Sequence, residues 1–229
     1  MLTLEVNTLR PYTGRMRSAL KQNLRTFPWM QQIVCLAPLG AVLACLALFV
    51  GTGNDIAREF YRLRALHPEL TQGIRMFSAW TQNVFYAFWL ILLIYGLRVK
   101  KKDLARRALY FFVVQGVFSF VLVRVFKVAL GFPRPYATLA GAGVVPFSFD
   151  TSQHSFPSGH TTTVAISACC TASLGADLLL SLFMGLVLAG IGFSRIYLGM
   201  HHILDVSAGL AFGVLGNFCF HYLCNRGLT

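Results

Sequence analysis

Six long apolar runs, at about 29–50, 77–97, 104–130, 158–174, 178–199 and 202–224, dominate the chain and constrain its architecture. Most are long enough for a helix to cross a hydrocarbon layer of ~30 Å, which takes roughly 20 residues. Pro38 is a candidate kink in the first run. The fourth run is short, so its first turn must begin below the membrane surface. Composition agrees: 56% of the 229 residues are hydrophobic and only 12% are charged, against roughly 25% charged in a soluble domain. The expected fold class is all-α, a polytopic membrane bundle of six transmembrane helices with a functional site at one membrane face. Residues 29–229 read as one domain and residues 1–28 as a basic cytoplasmic arm.

The net charge of +12 would suggest nucleic acid in a soluble protein. Here the cations fall in short blocks between apolar runs, where topology explains them, and no nucleic-acid partner is expected. Residues 1–28, the block 98–107 and Arg226 together hold 12 Lys and Arg. The loop 51–75, on the other side, holds Arg58, Arg62, Arg64 and Arg75. Adding Arg124, Lys127, Arg134 and Arg195 to that side still leaves 12 against 8. The positive-inside rule then places both termini in the cytoplasm.

The six Cys lie within the runs and read as small core residues, with neither metal-ligand spacing nor a disulfide pattern. Val42-Leu43-Ala44-Cys45 has the look of a lipoprotein cleavage box, but the basic region ahead of it is too long. The first apolar run starts too late for a cleaved signal peptide. Trp29, Trp80 and Trp89 read as lipid-facing or interfacial.

Ionisable side chains in or beside a span are costly and mark functional sites. Arg124, Lys127 and Arg134 sit at the exit of the third run, and Ser158 and His160 open the fourth. Arg195 ends the fifth, and His201 and Asp205 open the sixth. Alternating spans put all these ends on the non-cytoplasmic face. Three cations with a hydroxyl and a glycine suit a tetrahedral oxyanion, because Arg offers paired donors and Lys a mobile point charge. Gly159 lets backbone N–H groups approach an anion at a helix N-terminus. His201 and Asp205, four apart, share a helix face. A carboxylate on one ring nitrogen fixes the tautomer and leaves the other free as a nucleophile. His160 is placed to protonate a leaving oxygen. Phosphoryl transfer needs mainly positioning and charge neutralisation, so this pocket calls for no metal or other cofactor.

Lys127-x6-Arg134-Pro135, Pro157-Ser158-Gly159-His160 and Ser194-Arg195-x5-His201-x3-Asp205 resemble the three signature motifs of the type 2 phosphatidic acid phosphatase superfamily. That superfamily includes membrane lipid phosphatases and soluble vanadium haloperoxidases. All three motifs are complete, in order and at the family's spacing, across residues 127–205. The resemblance implies that Lys127, Arg134, Ser158, Gly159 and Arg195 bind the phosphoryl group. It implies that His160 is the general acid, that His201 attacks phosphorus to form a phosphohistidine, and that Asp205 orients it. The implied substrate is a membrane lipid phosphomonoester or pyrophosphate: phosphatidylglycerophosphate, phosphatidic acid, undecaprenyl diphosphate or a lipid A phosphate. The absence of an Asn-x-Ser/Thr sequon and the compact length point to a bacterial inner membrane, with the site facing the periplasm or exterior.

Simpler readings stand beside these. Arg124, one turn before Lys127, is a candidate contact for a second phosphate or headgroup; the alternative is snorkelling to the interface. His154 and Asp150, in the loop facing the site, are further headgroup candidates. His67 and His221 read as structural or solvated, and the block 98–107 as an anchor on anionic lipid. A lipid phosphotransferase would use the same intermediate with another acceptor. A non-catalytic lipid binder or transporter is the reading from a different class, disfavoured because His160, His201 and Asp205 are all present.

Overall fold

The computed structural model describes residues 27–175 and 177–226. The expected basic arm, apart from Phe27 and Pro28, lies outside the described residues, as does Ala176 in the turn after the fourth run. The described chain is all-helical. Helix α1 spans Trp29–Phe49, α2 Asn54–Leu66, and α3 Pro68–Arg98. Helix α4 (Lys102–Gln115) continues through a π-helical stretch (Gly116–Leu122) into α5 (Val123–Leu130). A short α6 (Pro135–Leu139) is followed by α7 (Gly159–Gly175), α8 (Leu178–Tyr197) and α9 (Ile203–Arg226).

Five of these helices are long and apolar enough to cross a membrane: α1, α3, the α4–α5 helix, α8 and α9. The chain is an integral membrane protein. The fourth expected span, α7, has 17 residues, about 25 Å of helix, which falls short of a full crossing. Every residue from Thr161 to Ala172 is buried. Helix α7 touches α1, α3, α4, the π stretch, α8 and α9, so it is the axis of the bundle and its Thr, Ser, Ala and Cys side chains meet protein.

Apolar lipid tails give helices no hydrophobic reason to associate, so close packing and hydrogen bonds must hold them. On α9, a Cβ at Gly213 would fall 2.3 Å from the Ala165 Cβ, and one at Gly216 2.7 Å from the Ile166 Cδ1. At the end of α7 away from His160, polar side chains knit three helices together. Gln32 Nε2 donates to Ser173 Oγ (2.8 Å), and Asn217 Nδ2 donates to Gln32 Oε1 (2.8 Å). His221 Nε2 lies 3.1 Å from Ser173 Oγ, which makes this histidine a buried structural group. Beside the π stretch, Gln115 Nε2 donates to the Thr163 carbonyl and to Ser167 Oγ, both at 2.9 Å.

Three sequence expectations change. The segment 51–75, read as a loop, contains α2 and the first turns of α3. Helix α2 buries Ile56, Ala57 and Phe60 along one stripe and exposes Asp55, Arg58, Glu59 and Arg62, a surface-helix pattern that the Arg-rich composition hid. Trp89 is not lipid-facing: it is fully buried and stacks on Phe111 at 4.4 Å between ring centroids, while Trp29 and Trp80 are exposed. Cys45 is exposed on α1, unlike Cys35, Cys169, Cys170 and Cys224.

The packing predicts that Gly213→Ala, which forces α7 and α9 apart, destabilises the fold by about 1–3 kcal/mol. Gly73→Ala, with nothing near the added methyl, should leave stability unchanged or slightly raised. Thermal unfolding in detergent compares the two.

Candidate active site

The site forms where α5 ends and α7 and α9 begin, closed by the turn after α8. Gly131, at φ +56°, stops α5 in the left-handed conformation that favours glycine. A Cβ there would lie 1.7 Å from the Val145 carbonyl oxygen, and Val145 N donates to the Gly131 carbonyl at 2.9 Å. Arg134 N donates to the Ser152 carbonyl (2.8 Å), and Ser155 N to the Phe132 carbonyl (3.0 Å). These ties fold the 136–156 loop back onto the residues that carry Arg134.

Two sequence-distant segments then meet through their backbones: Ser158 N donates to the Asp205 carbonyl at 2.9 Å. Gly209 permits this approach, since a Cβ there would sit 2.6 Å from the Ser158 carbonyl oxygen. Ser158 is fully buried, and its Oγ accepts from Thr161 Oγ1 at 2.9 Å. The first amides of α7 have no intrahelical acceptor and point out of its N-terminus, where the helix dipole favours an anion.

The cations surround that N-terminus. Lys127 Nζ donates to the His154 carbonyl at 2.6 Å and lies 3.5 Å from the Ser155 carbonyl oxygen. Arg195 Nη1 donates to Ser78 Oγ at 3.0 Å. Arg134 Nη1 is 3.5 Å from the Met200 sulfur. Arg134 Nε and Arg195 Nε are buried and have no hydrogen-bond partner, although a buried donor left unpaired is costly. Both guanidinium groups therefore have bonding capacity to offer an anion. His160 is close enough to feel the charges of Arg195, His201, Lys127 and Arg134. All five groups thus share one electrostatic neighbourhood.

His201 sits in the turn between α8 and α9, held by its N–H donating to the Arg195 carbonyl at 3.2 Å. The same turn is pinned from α2, where Arg64 Nη1 donates to the Tyr197 carbonyl, and Gly199 (φ +68°) leaves space for that guanidinium. Burial pushes the His201 pKa down, outweighing the pull of Asp205, and Lys127 and Arg195 add to the effect. Its Nδ1 lies 3.6 Å from Asp205 Oδ2, in ion-pair range but longer than a hydrogen bond. Asp205 Oδ2 also accepts from His202 N (2.8 Å) and from Ser155 Oγ (2.5 Å). Asp205 therefore caps the first turn of α9, as an acidic third helical residue does, while facing the His201 ring.

Every expected phosphate-binding or catalytic residue thus lies at this one end of α7. The headgroup candidates divide. Arg124 is exposed on α5 beside Lys127. His154 is buried and its Nε2 lies 2.9 Å from the Ser148 carbonyl oxygen, so its ring serves the loop. Asp150 accepts from the Ser152 hydroxyl and N–H at 2.7 and 2.9 Å, and these bonds hold its carboxyl below the usual carboxylate range. Ser155, Ser78 and Gly209 were not anticipated. Ser155 was visible only as a hydroxyl two residues before Pro157.

The structure is thus that of an α-helical membrane protein with cations and two histidines gathered at a helix N-terminus. The chain belongs to the PAP2 superfamily, whose family pattern it matches over residues 107–227, more than half its length. It is 36% identical over 108 residues to a lipid A 1-phosphatase of Rhizobium johnstonii, covering 46% of this chain and 43% of that protein. It is 35% identical over 99 residues to a lipid A 1-phosphatase of Rhizobium etli, covering 42% of each. The match thus spans less than half the length of either relative. No solved structure matches the chain.

The Ser158–Asp205 contact predicts that Gly209→Ala, whose methyl would meet the Ser158 carbonyl oxygen, forces the starts of α7 and α9 apart and destabilises the fold by about 1–3 kcal/mol. Thermal unfolding of the variant in detergent is the check.

Proposed function

We propose that this protein is a lipid phosphatase of a bacterial inner membrane, hydrolysing a lipid phosphomonoester or pyrophosphate at the non-cytoplasmic face. Both termini are cytoplasmic, and residues 29–229 form a single phosphatase domain of six crossings, with α7 as the short one. The observation that carries this reading is the convergence of Lys127, Arg134, Arg195, His160 and His201 on the N-terminus of α7, with donor capacity unspent on two of the arginines.

A cavity of about 830 Å³ lined by Leu130, Phe132, Phe156, Ile203 and Leu204 reaches this cluster at Asp205, which also forms part of its wall. An apolar groove next to a cationic cradle suits a phosphate carried on a lipid. Among lipids, a lipid A phosphate is the first candidate, on the names of the two Rhizobium relatives. Phosphatidic acid, phosphatidylglycerophosphate and undecaprenyl diphosphate remain in the substrate class.

The chemistry follows from the geometry. The phosphoryl oxygens bind Lys127, Arg134, Arg195, the Ser158 hydroxyl and the amides at Gly159. His201 attacks phosphorus through Nε2, while Asp205, whose Oδ2 lies 3.6 Å from Nδ1, closes on that nitrogen and stabilises the positive ring that forms. His160 delivers a proton to the departing lipid oxygen, which breaks its bond to phosphorus. Water then attacks the phosphohistidine with His160 as base, releasing inorganic phosphate and restoring His201. Charge on the equatorial oxygens is met by the three cations, so no metal is required for the step.

Purified protein in detergent should release inorganic phosphate from one or more of these lipids with EDTA present, and His201→Ala should lose at least about 10³-fold. Lys127→Met should mainly weaken substrate capture and transition-state stabilisation, lowering kcat/KM by about 10²–10³-fold. Retained turnover in His201→Ala would remove the nucleophile from this reading. Phosphate appearing on an added acceptor lipid rather than in solution would identify a phosphotransferase.

A further inference from the structure

His201 Nδ1 is buried with no hydrogen-bond partner and faces Asp205 Oδ2 at 3.6 Å, so the Asp205 carboxylate must stay in one orientation if it is to steer that ring. A free carboxylate does not do so unaided, because its terminal torsion is broad. Two donors meet Asp205 Oδ2: the His202 N–H at 2.8 Å, which belongs to the helix cap, and the Ser155 hydroxyl at 2.5 Å. A hydroxyl on a carboxylate at this distance is among the stronger neutral-to-charged hydrogen bonds.

Ser155 is itself immobilised. It is fully buried, its N–H donates to the Phe132 carbonyl at 3.0 Å, and its own carbonyl lies 3.5 Å from Lys127 Nζ. Its single hydroxyl proton goes to Asp205, so it has none to give to a phosphate. The hydroxyl also approaches Asp205 from the 136–156 loop, whereas the His202 amide approaches from α9 itself. Only the first contact ties the carboxylate to a different part of the chain.

We propose that Ser155 is a positioning residue for the reaction, fixing Asp205 and through it the His201 ring in the orientation for attack on phosphorus. The proposal rests on the phosphohistidine reading above. It makes Ser155 a determinant of turnover and not of substrate capture, which distinguishes it from Ser158 at the mouth of α7.

The test is steady-state kinetics of the full chain on phosphatidic acid and on lipid A in detergent micelles, with phosphohistidine trapped by an alkaline quench, in which its N–P bond survives. Native protein is compared with Ser155→Ala, Ser155→Thr and His201→Ala. Ser155→Ala should lower kcat by about 10–100-fold, the worth of one hydrogen bond to a charged group, and slow phosphohistidine formation equally, with KM within about twofold. Ser155→Thr, which keeps the hydroxyl, should recover most of kcat. A folded Ser155→Ala with native kcat, or with raised KM and native kcat, overturns the proposal, as does equal loss in folded Thr and Ala variants. Should the Ala variant fail to fold, Ser155→Cys, similar in volume but a weak donor, replaces it, and native kcat there overturns the proposal as well. Turnover lost in His201→Ala but untouched in Ser155→Ala sinks this inference alone. Native turnover retained in His201→Ala sinks the phosphohistidine reading with it.

Discussion

A single backbone hydrogen bond, from Ser158 N to the Asp205 carbonyl, joins the two parts of the site. Residue 158 precedes the central helix and residue 205 opens the last one, so this bond locks the start of α7 to the start of α9. The turn that carries His201 is thereby tied to the N-terminus of α7. The surrounding contacts protect that bond: Gly209 makes room for it, Asp205 caps its own helix, and Arg64 steadies the preceding turn. Ser158 and Asp205 are both buried, so competing water is scarce at that bond.

The arrangement is electrostatically expensive before a substrate arrives. Lys127, Arg134 and Arg195 repel one another in a partly buried space, with Asp205 the nearby counter-charge. Lys127 is held by carbonyl oxygens and Arg195 by a hydroxyl, neutral acceptors that an anion can outcompete. A phosphate would meet donors already oriented, with little reorganisation left to do, which is the condition under which such groups assist a charged transition state most.

Much of this was legible in the sequence. Three cations, two histidines and one aspartate at the ends of apolar runs can converge only if those ends share a level, and alternation of spans requires that. What sequence could not supply were features decided by neighbours. Trp89 reads as interfacial by type but lies beneath Phe111 because α3 and α4 pack as a hairpin. The charges of α2 obscured a three-residue apolar stripe. Helix α7 was expected to be short, but its place at the axis depends on five other helices enclosing it. Ser155 carries no signature, because its importance comes from a partner 50 positions away. The headgroup role considered for His154 lost ground for a similar reason: its ring is engaged by the carbonyl of Ser148.

The line of Gly209, Gly213 and Gly216 on α9 does more than allow tight packing. With no side chains on that line, α9 lies directly against the Ser158 carbonyl and the side chains of Thr161, Ala165 and Ile166 on or just before α7. Lipid-facing side chains such as Leu48, Phe183 and Leu215 are exposed and project away from it. The protein therefore separates two kinds of tolerance. Its outer surface can change side chains without touching a neighbouring helix, while the inner seam has no room for an added carbon at Gly209, Gly213 or Gly216.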